Sequence, residues 1–436
     1  ASHQGRDAGM ILNDNRRGVL AKLAGAEAVS RLRGIPSVCS AHPVVIEASL
    51  RRAKVEGVPA LIEATCNQVN QEGGYTGMTP ADFRAFVEAI ANRIGFPLDR
   101  LILGGDHLGP NPWKSLPAED AMLRAETMVA AYVAAGFRKI HLDCSMGCAG
   151  EPAALDDAIT ATRASRLAGI AEQQAAETGT SLVYIIGTEV PPPGGATHEI
   201  AELAVTTPDD VRNTLDIHRQ AFADAGVAAA LERVIGIVVQ PGVEFGNANV
   251  VIYQPEKADA LSAALAGMPG LVYEAHSTDY QPTAALRGLV DGGFAILKVG
   301  PGLTFALREA LYGLDAIAAE LDGKAPAMQA AMEALMLAQP KHWASHYPGD
   351  DTEQRLQRHF SYSDRIRYYW PEPAAQAAVD SLVRRLGGRR IPETLISQHL
   401  ARLYPAVVSG GLAPVPRDLC LAAIDAALDP YYAAVL

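Results

Sequence analysis

Eight short apolar segments alternate with longer amphipathic segments between about residue 36 and residue 320. Each short segment has the length of a strand and is followed by a polar or glycine-bearing loop. Strands that alternate with helices predict βαβ units with right-handed crossovers and a parallel sheet. The eight predicted strands are Pro36–Ser40, Ala60–Ala64, Leu101–Gly105, Lys139–Asp143, Leu182–Gly187, Val234–Val239, Leu271–Glu274 and Ala295–Val299.

Eight such units favour a closed (β/α)8 (TIM) barrel of the α/β class over an open doubly wound sheet. No Gly-x-Gly-x-x-Gly motif follows the first strand, which weighs against a dinucleotide-binding sheet. The predicted helices are Leu20–Leu32, Asp82–Ile94, Ala118–Ala135, Ile159–Thr178, Pro208–Ala225, Pro255–Ala266, Pro282–Asp291 and Leu303–Glu320.

The pattern divides the chain into three parts. Residues 1–19 are polar and rich in Gly, Arg and Asn, which predicts a mobile N-terminal arm, and residues 20–320 form the barrel. Residues 321–436 are predicted to be a helical extension packed on the barrel. Within it, the aromatic and basic run Phe360–Trp370 either docks the extension or binds a ligand or partner, and docking is the favoured interpretation.

Composition narrows the class of protein. A net charge of −12 argues against nucleic acid or an anionic membrane as a partner. No apolar run reaches the ~18 residues of a membrane span, and the N-terminus has no signal-peptide pattern. The five cysteines are scattered, without a Cys-x-x-Cys pair, which suits reduced thiols. We therefore expect a cytoplasmic protein.

The third predicted strand ends in an acid beside an imidazole, Asp106-His107. Alone, the pair reads equally well as a turn residue and a hydrogen-bonded core histidine. In a barrel, however, residues that follow the strands meet at one mouth, where active sites lie. The residues at these positions are unusually polar: Ser40, His42, Thr65, Asn67, Gln68, Asp106, His107, Asp143, Ser145, Thr188, Glu189, Gln240, Glu244, Glu274, His276, Ser277, Asp279 and Lys298.

Two imidazoles and a carboxylate from separate strands could hold a divalent metal ion with open coordination positions. Such an ion polarises a carbonyl and stabilises an enediolate, and Asp106 would then move a proton on a hydroxyl.

The loops after the seventh and eighth strands each precede a helix, which is where barrels frequently bind phosphate. The alternative is ordinary turns capped by Ser and Thr. The chain has no Gly-x-x-x-x-Gly-Lys-Ser/Thr motif, so no ATP-phosphate loop is predicted. The candidate substrate- and phosphate-binding residues are Asn67, Ser277, Thr278, Lys298, Gly300 and Gly302.

Longer motifs resemble a known family. From about Arg31 nearly to the C-terminus, the chain is similar to the Z subunit of class II D-tagatose-1,6-bisphosphate aldolase, some members of which are labelled tagatose 6-phosphate kinase. The segments that carry the resemblance are Ser37–Pro43, Asn67–Gln71, Gly73–Pro80, Gly104–Pro110, Ile186–Pro191, Val239–Phe245, Tyr273–Gln281, Leu297–Ala310 and Ser363–Trp370.

The resemblance implies a metal-dependent barrel that acts on ketose phosphates. Asp106 matches the proton-transfer acid of class II aldolases, and His107 and His276 match metal ligands. Asp143 and Glu189 are further catalytic candidates, with Glu189 also metal-associated. The expected metal is zinc, with manganese or magnesium as alternatives.

Gln240 stands where the catalytic aldolases place another metal histidine, and an amide is a weaker zinc ligand than imidazole. Two functions therefore stay open. One is retro-aldol chemistry on tagatose 6-phosphate or tagatose 1,6-bisphosphate in tagatose or galactitol catabolism, above all C4 epimerisation to fructose 6-phosphate. The other is a non-catalytic accessory subunit of a catalytic class II aldolase. Expected partners are a sugar phosphate, the catalytic aldolase subunit in the second case, and further copies in an oligomer.

Overall fold

A computed structural model describes residues 4–188 and 203–436. Eight parallel strands close into a barrel in chain order, and the eighth pairs with the first. The predicted fold is confirmed, and strand ends differ from the prediction by at most one residue except in the third strand, which continues to Leu108. The strands are Ile35–Cys39, Ala60–Thr65, Leu101–Leu108, Lys139–Leu142, Val183–Ile186, Val234–Val238, Val272–Ala275 and Phe294–Val299.

Helices surround the barrel, and several begin where the sequence supplies a cap. Thr79 and Thr207 each precede a proline and accept the N–H of an aspartate three residues on, whose carboxylate bonds back to the threonine. This reciprocal arrangement fixes where each helix starts. The helices up to residue 322 are Gln4–Ala24, Pro43–Glu56, Pro80–Ile94, Ala118–Ala134, Asp157–Thr178, Pro208–Asp224, Ala228–Leu231, Pro255–Ala264, Thr283–Asp291 and Pro301–Asp322.

The N-terminal segment differs from the prediction of a mobile arm followed by a helix at Leu20–Leu32. It is a helix from Gln4 to Ala24, and a 3-10 turn covers Ala26–Ser30. Its side chains Asn15 and Arg16 are buried, and they donate to carbonyls of Leu265, Met268 and Val290. Polar residues of this helix therefore attach it to the end of the barrel where the strands begin.

The chain after residue 322 forms further helices that pack on the barrel. The last of them, Pro416–Val435, lies against Pro43–Glu56, Thr283–Asp291 and Pro301–Asp322. The remaining helices are Met328–Ala338, Asp351–Phe360, Pro373–Leu386, Glu393–His399 and Tyr404–Val408.

The aromatic and basic run docks this extension, as the favoured interpretation expects. The ring of Tyr362 lies 4.4 Å from that of Tyr280 and 5.6 Å from that of Phe305, centroid to centroid. The Tyr280 hydroxyl donates to the Tyr362 carbonyl at 2.6 Å. The run then turns into a 3-10 helix, Arg365–Tyr369.

Two sequence-level expectations concern the environment of the chain. All five cysteines are free thiols, as predicted. Across residues 4–188 and 203–436, no helix is both long enough and apolar enough to cross a bilayer.

Candidate functional site

Four side chains converge at the mouth of the barrel. Asp106, His107 and His141 come from the third and fourth strands, and His276 follows the seventh. One potential ligand atom from each lies within 4.8 Å of the others. Asp106, His107 and His276 line a cavity of about 600 Å³. The predicted convergence of the Asp-His pair with His276 is thus observed, and the fourth member, His141, was not predicted.

Each imidazole of this cluster has one nitrogen held by an oxygen outside the cluster. His107 Nδ1 lies 2.8 Å from Asp143 Oδ2, and His276 Nε2 lies 2.8 Å from Glu274 Oε1. His141 Nε2 lies 2.8 Å from the carbonyl of Gly187. Bonds of this kind fix the ring orientation of metal-binding histidines in proteins.

The backbone of the third strand is distorted where it carries the cluster. Its register with the fourth strand shifts between Gly105 and Leu108, and His107 has a φ of 50°. Left-handed backbone at a bulky residue costs on the order of 1 kcal/mol or more. The His107 N–H donates to His141 Nδ1 at 3.1 Å, which helps to hold this conformation.

Three residues before His107, the third strand needs a glycine at position 104. It pairs with Glu63 on the second strand, and a Cβ at Gly104 would lie 2.7 Å from the Glu63 Cγ. Gly104 therefore makes room for a carboxylate inside the barrel.

Buried charges fill the interior beneath the cluster. Lys139 Nζ lies 2.7 Å from Glu63 Oε1 and 2.8 Å from Glu274 Oε2, and all three side chains are fully buried. Lys298 Nζ lies 3.0 Å from Glu63 Oε2 and 2.9 Å from Asp106 Oδ2. TIM barrels usually fill this space with branched apolar residues, so the ionic network marks a specialised interior. Lys298, a predicted phosphate contact, lines the cavity, and its ammonium is paired with the carboxylates of Glu63 and Asp106.

The network sets the charges of the cluster. Burial raises the pKa of Asp106, but Lys298, His107 and His141 outweigh it and hold that pKa well below its usual value. Burial lowers the pKa of His107, but Asp106 and Asp143 outweigh it and raise that pKa to about 9. Burial lowers the pKa of His276 to about 4. Asp106 is therefore a carboxylate and His276 a neutral imidazole at neutral pH.

The predicted phosphate loops are arranged differently from the expectation. Asp279 Oδ1 accepts the N–H groups of Gly300 at 2.9 Å and Gly302 at 2.7 Å, so the start of helix Pro301–Asp322 is already bonded to a carboxylate. Thr278 is fully buried, and its hydroxyl donates to the Lys298 carbonyl. The alternative of turns capped by Ser and Thr is not observed either, since Asp279 is the residue that accepts these N–H groups.

Asn67 and Ser277, two predicted substrate-binding residues, both lie at the cavity. Ser277 has a φ of 51° and a buried hydroxyl near Glu244. Burial raises the pKa of Glu244 to about 7.

The other predicted site residues have supporting positions or cannot be placed. Asp143 orients His107 and also accepts from the hydroxyl of Ser145, which makes it a positioning residue. Gln240 Oε1 accepts the N–H groups of Gly242 and Val243, both at 2.9 Å, so its amide oxygen holds a turn. Glu189 lies outside the described residues.

Three residues of the site were not predicted because they lie within strands, whereas the predicted site residues follow strand ends: Glu63, Lys139 and His141. The available signal was alternation: Lys139 and His141 are two residues apart in a short apolar strand, so both face the interior.

A model of the family described as D-tagatose-1,6-bisphosphate aldolase subunit GatZ/KbaZ-like matches residues 20–436. The chain belongs to the GatZ/KbaZ-like family. This confirms the resemblance found in the sequence motifs.

Two relatives of this GatZ/KbaZ-like chain carry different activities in their names. A D-tagatose 6-phosphate 4-epimerase from Agrobacterium fabrum strain C58 is 58% identical over 419 residues, which is 95% of this chain and 98% of that protein. The crystal structure of a probable tagatose 6 phosphate kinase from Sinorhizobium meliloti 1021 is 60% identical, with a TM-score of 0.86 over 92% of this chain and 100% of that one.

Proposed function

We propose that this protein is a metal-dependent 4-epimerase that interconverts tagatose 6-phosphate and fructose 6-phosphate by retro-aldol cleavage and re-addition. The observation that carries the proposal is the cluster of Asp106 with three oriented imidazoles at the mouth of the barrel. The 58% identity to a D-tagatose 6-phosphate 4-epimerase supports the same substrate.

The donor set fits a divalent cation. His107, His141 and His276 would hold it, with Asp106 beside them, and each ring has one nitrogen bonded to an oxygen outside the cluster. An imidazole-rich set suits zinc better than magnesium, which prefers oxygen ligands. When bound, the cation polarises the ketone carbonyl and stabilises the negative charge that develops next to it.

The chain's own groups handle the proton. Asp106 takes the proton of the C4 hydroxyl while the C3–C4 bond breaks, and the bonding electrons pass to the three-carbon enediolate. The other product is glyceraldehyde 3-phosphate, and a cavity of about 600 Å³ lets its aldehyde turn without leaving. Re-addition to the opposite face reforms the C3–C4 bond, and Asp106 returns the proton to O4.

Asp106 is suited to this role by its surroundings. Its Oδ1 lies 2.9 Å from His141 Nδ1, and its Oδ2 lies 2.9 Å from Lys298 Nζ. The ammonium of Lys298 keeps this carboxylate ionised and fixes its direction, so Asp106 is a proton acceptor before substrate arrives.

The two other functions are less well supported. The accessory-subunit alternative began from Gln240, but a third imidazole comes from His141, and Gln240 is used in a turn. The sequence holds no phosphate-binding loop of the type that ATP-dependent kinases of the P-loop class require.

The test is carbon NMR of tagatose 6-phosphate incubated with the protein and Zn²⁺, Mn²⁺ or Mg²⁺, and again after chelation. We expect fructose 6-phosphate to appear only with metal, and Asp106→Asn and His141→Ala to abolish it. His399→Ala, in a helix of the C-terminal extension, is the control that should keep the activity. Absence of turnover with every metal would overturn the proposal, and a gain in activity of an added class II aldolase would then favour the accessory role.

A further inference from the structure

Within residues 4–188 and 203–436, donors in the loops after the seventh and eighth strands, where barrels frequently bind phosphate, already have partners in the protein. The N–H groups of Gly300 and Gly302 are bonded to Asp279. The ammonium of Lys298 is shared by two carboxylates. A sugar phosphate dianion in this cavity needs a different cation.

Arg367 is such a cation. It lies in the 3-10 helix Arg365–Tyr369 of the C-terminal extension and lines the same cavity as Asp106 and His107. It also lines an adjoining cavity of about 470 Å³, so its side chain lies in the wall between the two.

The partners of the Arg367 guanidinium are all neutral. Nη1 donates to the carbonyls of Ser363 and Asp364, and Nη2 donates to the Tyr368 hydroxyl at 3.0 Å. Within residues 4–188 and 203–436, no carboxylate oxygen lies within ion-pair distance of it. A guanidinium has five N–H donors in a planar fork that matches phosphate, and these contacts leave part of the fork unused.

The surroundings of Arg367 supply more donors and a rigid frame. Its guanidinium carbon lies 4.5 Å from the centroid of the Tyr368 ring, and that ring meets Tyr75 edge to face at 4.9 Å. Both tyrosines line the 600 Å³ cavity. Trp370, only 5% exposed, lines the adjoining cavity, and its buried Nε1–H has no hydrogen-bond partner in the described part of the chain.

We propose that Arg367 binds the phosphate group of the sugar phosphate where the two cavities meet, with the Trp370 indole N–H as a further donor. This assigns to the C-terminal extension a direct part in substrate recognition, and it rests on the proposed function for the identity of the substrate. The metal-type cluster would then bind the reacting carbons, and Arg367 would fix the opposite end of the same molecule.

Calorimetric titration of the full chain with fructose 6-phosphate and with fructose separates the phosphate from the sugar. We expect Arg367→Gln to weaken binding of fructose 6-phosphate by about 30-fold or more and to leave fructose binding unchanged. Arg367→Lys keeps the charge without the fork and should show a smaller loss. Arg365→Lys is the matched control, since Arg365 lies on the same 3-10 helix but outside the lining of both cavities, and it should bind as wild type does.

A second measurement needs no variant. Phenylglyoxal modifies accessible arginines. Peptide mapping of the wild-type protein should show that Arg367 is modified when no ligand is present. Fructose 6-phosphate should protect Arg367 from modification, and fructose should not. Unchanged binding in Arg367→Gln, equal affinity of wild type for the two sugars, or absence of protection would each overturn the proposal. Tight binding of fructose 6-phosphate without turnover would instead overturn the epimerase function and leave this assignment standing.

Discussion

The two walls of the cavity are built on opposite principles. On the barrel wall, the buried charges are paired: Lys139 and Lys298 lie among Glu63, Glu274 and Asp106. On the extension wall, formed by Arg367 and its neighbours in the C-terminal extension, the hydrogen-bond partners of the Arg367 guanidinium are neutral carbonyls and a hydroxyl. With Arg367 as the proposed phosphate ligand, the charges of the barrel wall are paired before substrate binds, and the charge of Arg367 is paired by the substrate's phosphate.

The largest effect should come from breaking the paired wall. Lys139→Met leaves Glu63 and Glu274 facing each other without their shared cation, and removing one partner of a buried ionic group costs about 3–5 kcal/mol. We expect the free energy of unfolding in urea to fall by that amount. Arg219→Met, which removes an exposed pair with Asp216, should change it by less than about 0.5 kcal/mol. Equal losses in the two variants would mean that the interior network has no special weight.

A smaller effect should follow from loosening one imidazole. Asp143→Asn weakens the hydrogen bond that orients His107 and is expected to lower metal affinity about 10–100-fold. Competition with a chromogenic chelator measures this affinity directly. Asp209→Asn, at an exposed position, is the control. Metal affinity equal to wild type in Asp143→Asn would remove His107 from the ligand set.

The smallest effect concerns a carboxyl group of the extension wall. Burial raises the pKa of Asp364 to about 7, despite the Thr304 hydroxyl and the nearby guanidiniums of Arg308 and Arg367. Because the folded state holds this proton more tightly than the unfolded state, stability should fall as pH rises from about 4 to about 7.

Asp364→Asn removes this dependence and suits the left-handed backbone there, where φ is 48°. We expect the variant to be more stable than wild type at pH 8 by on the order of 1 kcal/mol, seen as a higher unfolding temperature, and to match wild type below pH 4. A variant less stable than wild type at pH 8 would show that Asp364 is held as a carboxylate by its arginines, and the extension wall would then resemble the barrel wall.

The barrel could be predicted because its strands are apolar runs bounded by glycine and polar turns, and that signal is local. The Asp106–His107 pair could be predicted for a related reason, since it stands where a strand was expected to end. His141 and Arg367 are harder to find. His141 lies inside a short strand, where a lone histidine is usually a hydrogen-bonded core residue. The position of Arg367 depends on how the helical extension, far away in the sequence, docks on the barrel. The sequence also could not show that Asp279, from the loop after the seventh strand, accepts the N–H groups of Gly300 and Gly302 in the loop after the eighth.

The docked N-terminal helix has a consequence for how the protein is made. Asn15 donates to the carbonyl of Leu265, a partner 250 residues further along the chain. At ribosomal rates of about 5–20 residues per second, that partner emerges on the order of tens of seconds after the helix itself. Until then, the apolar residues Val19, Leu20 and Leu23, which are buried in the finished protein, have no barrel to cover them. A helix that is synthesised before the barrel strands is thus among the later segments to reach its final place, and its apolar residues stay accessible to a chaperone during that interval.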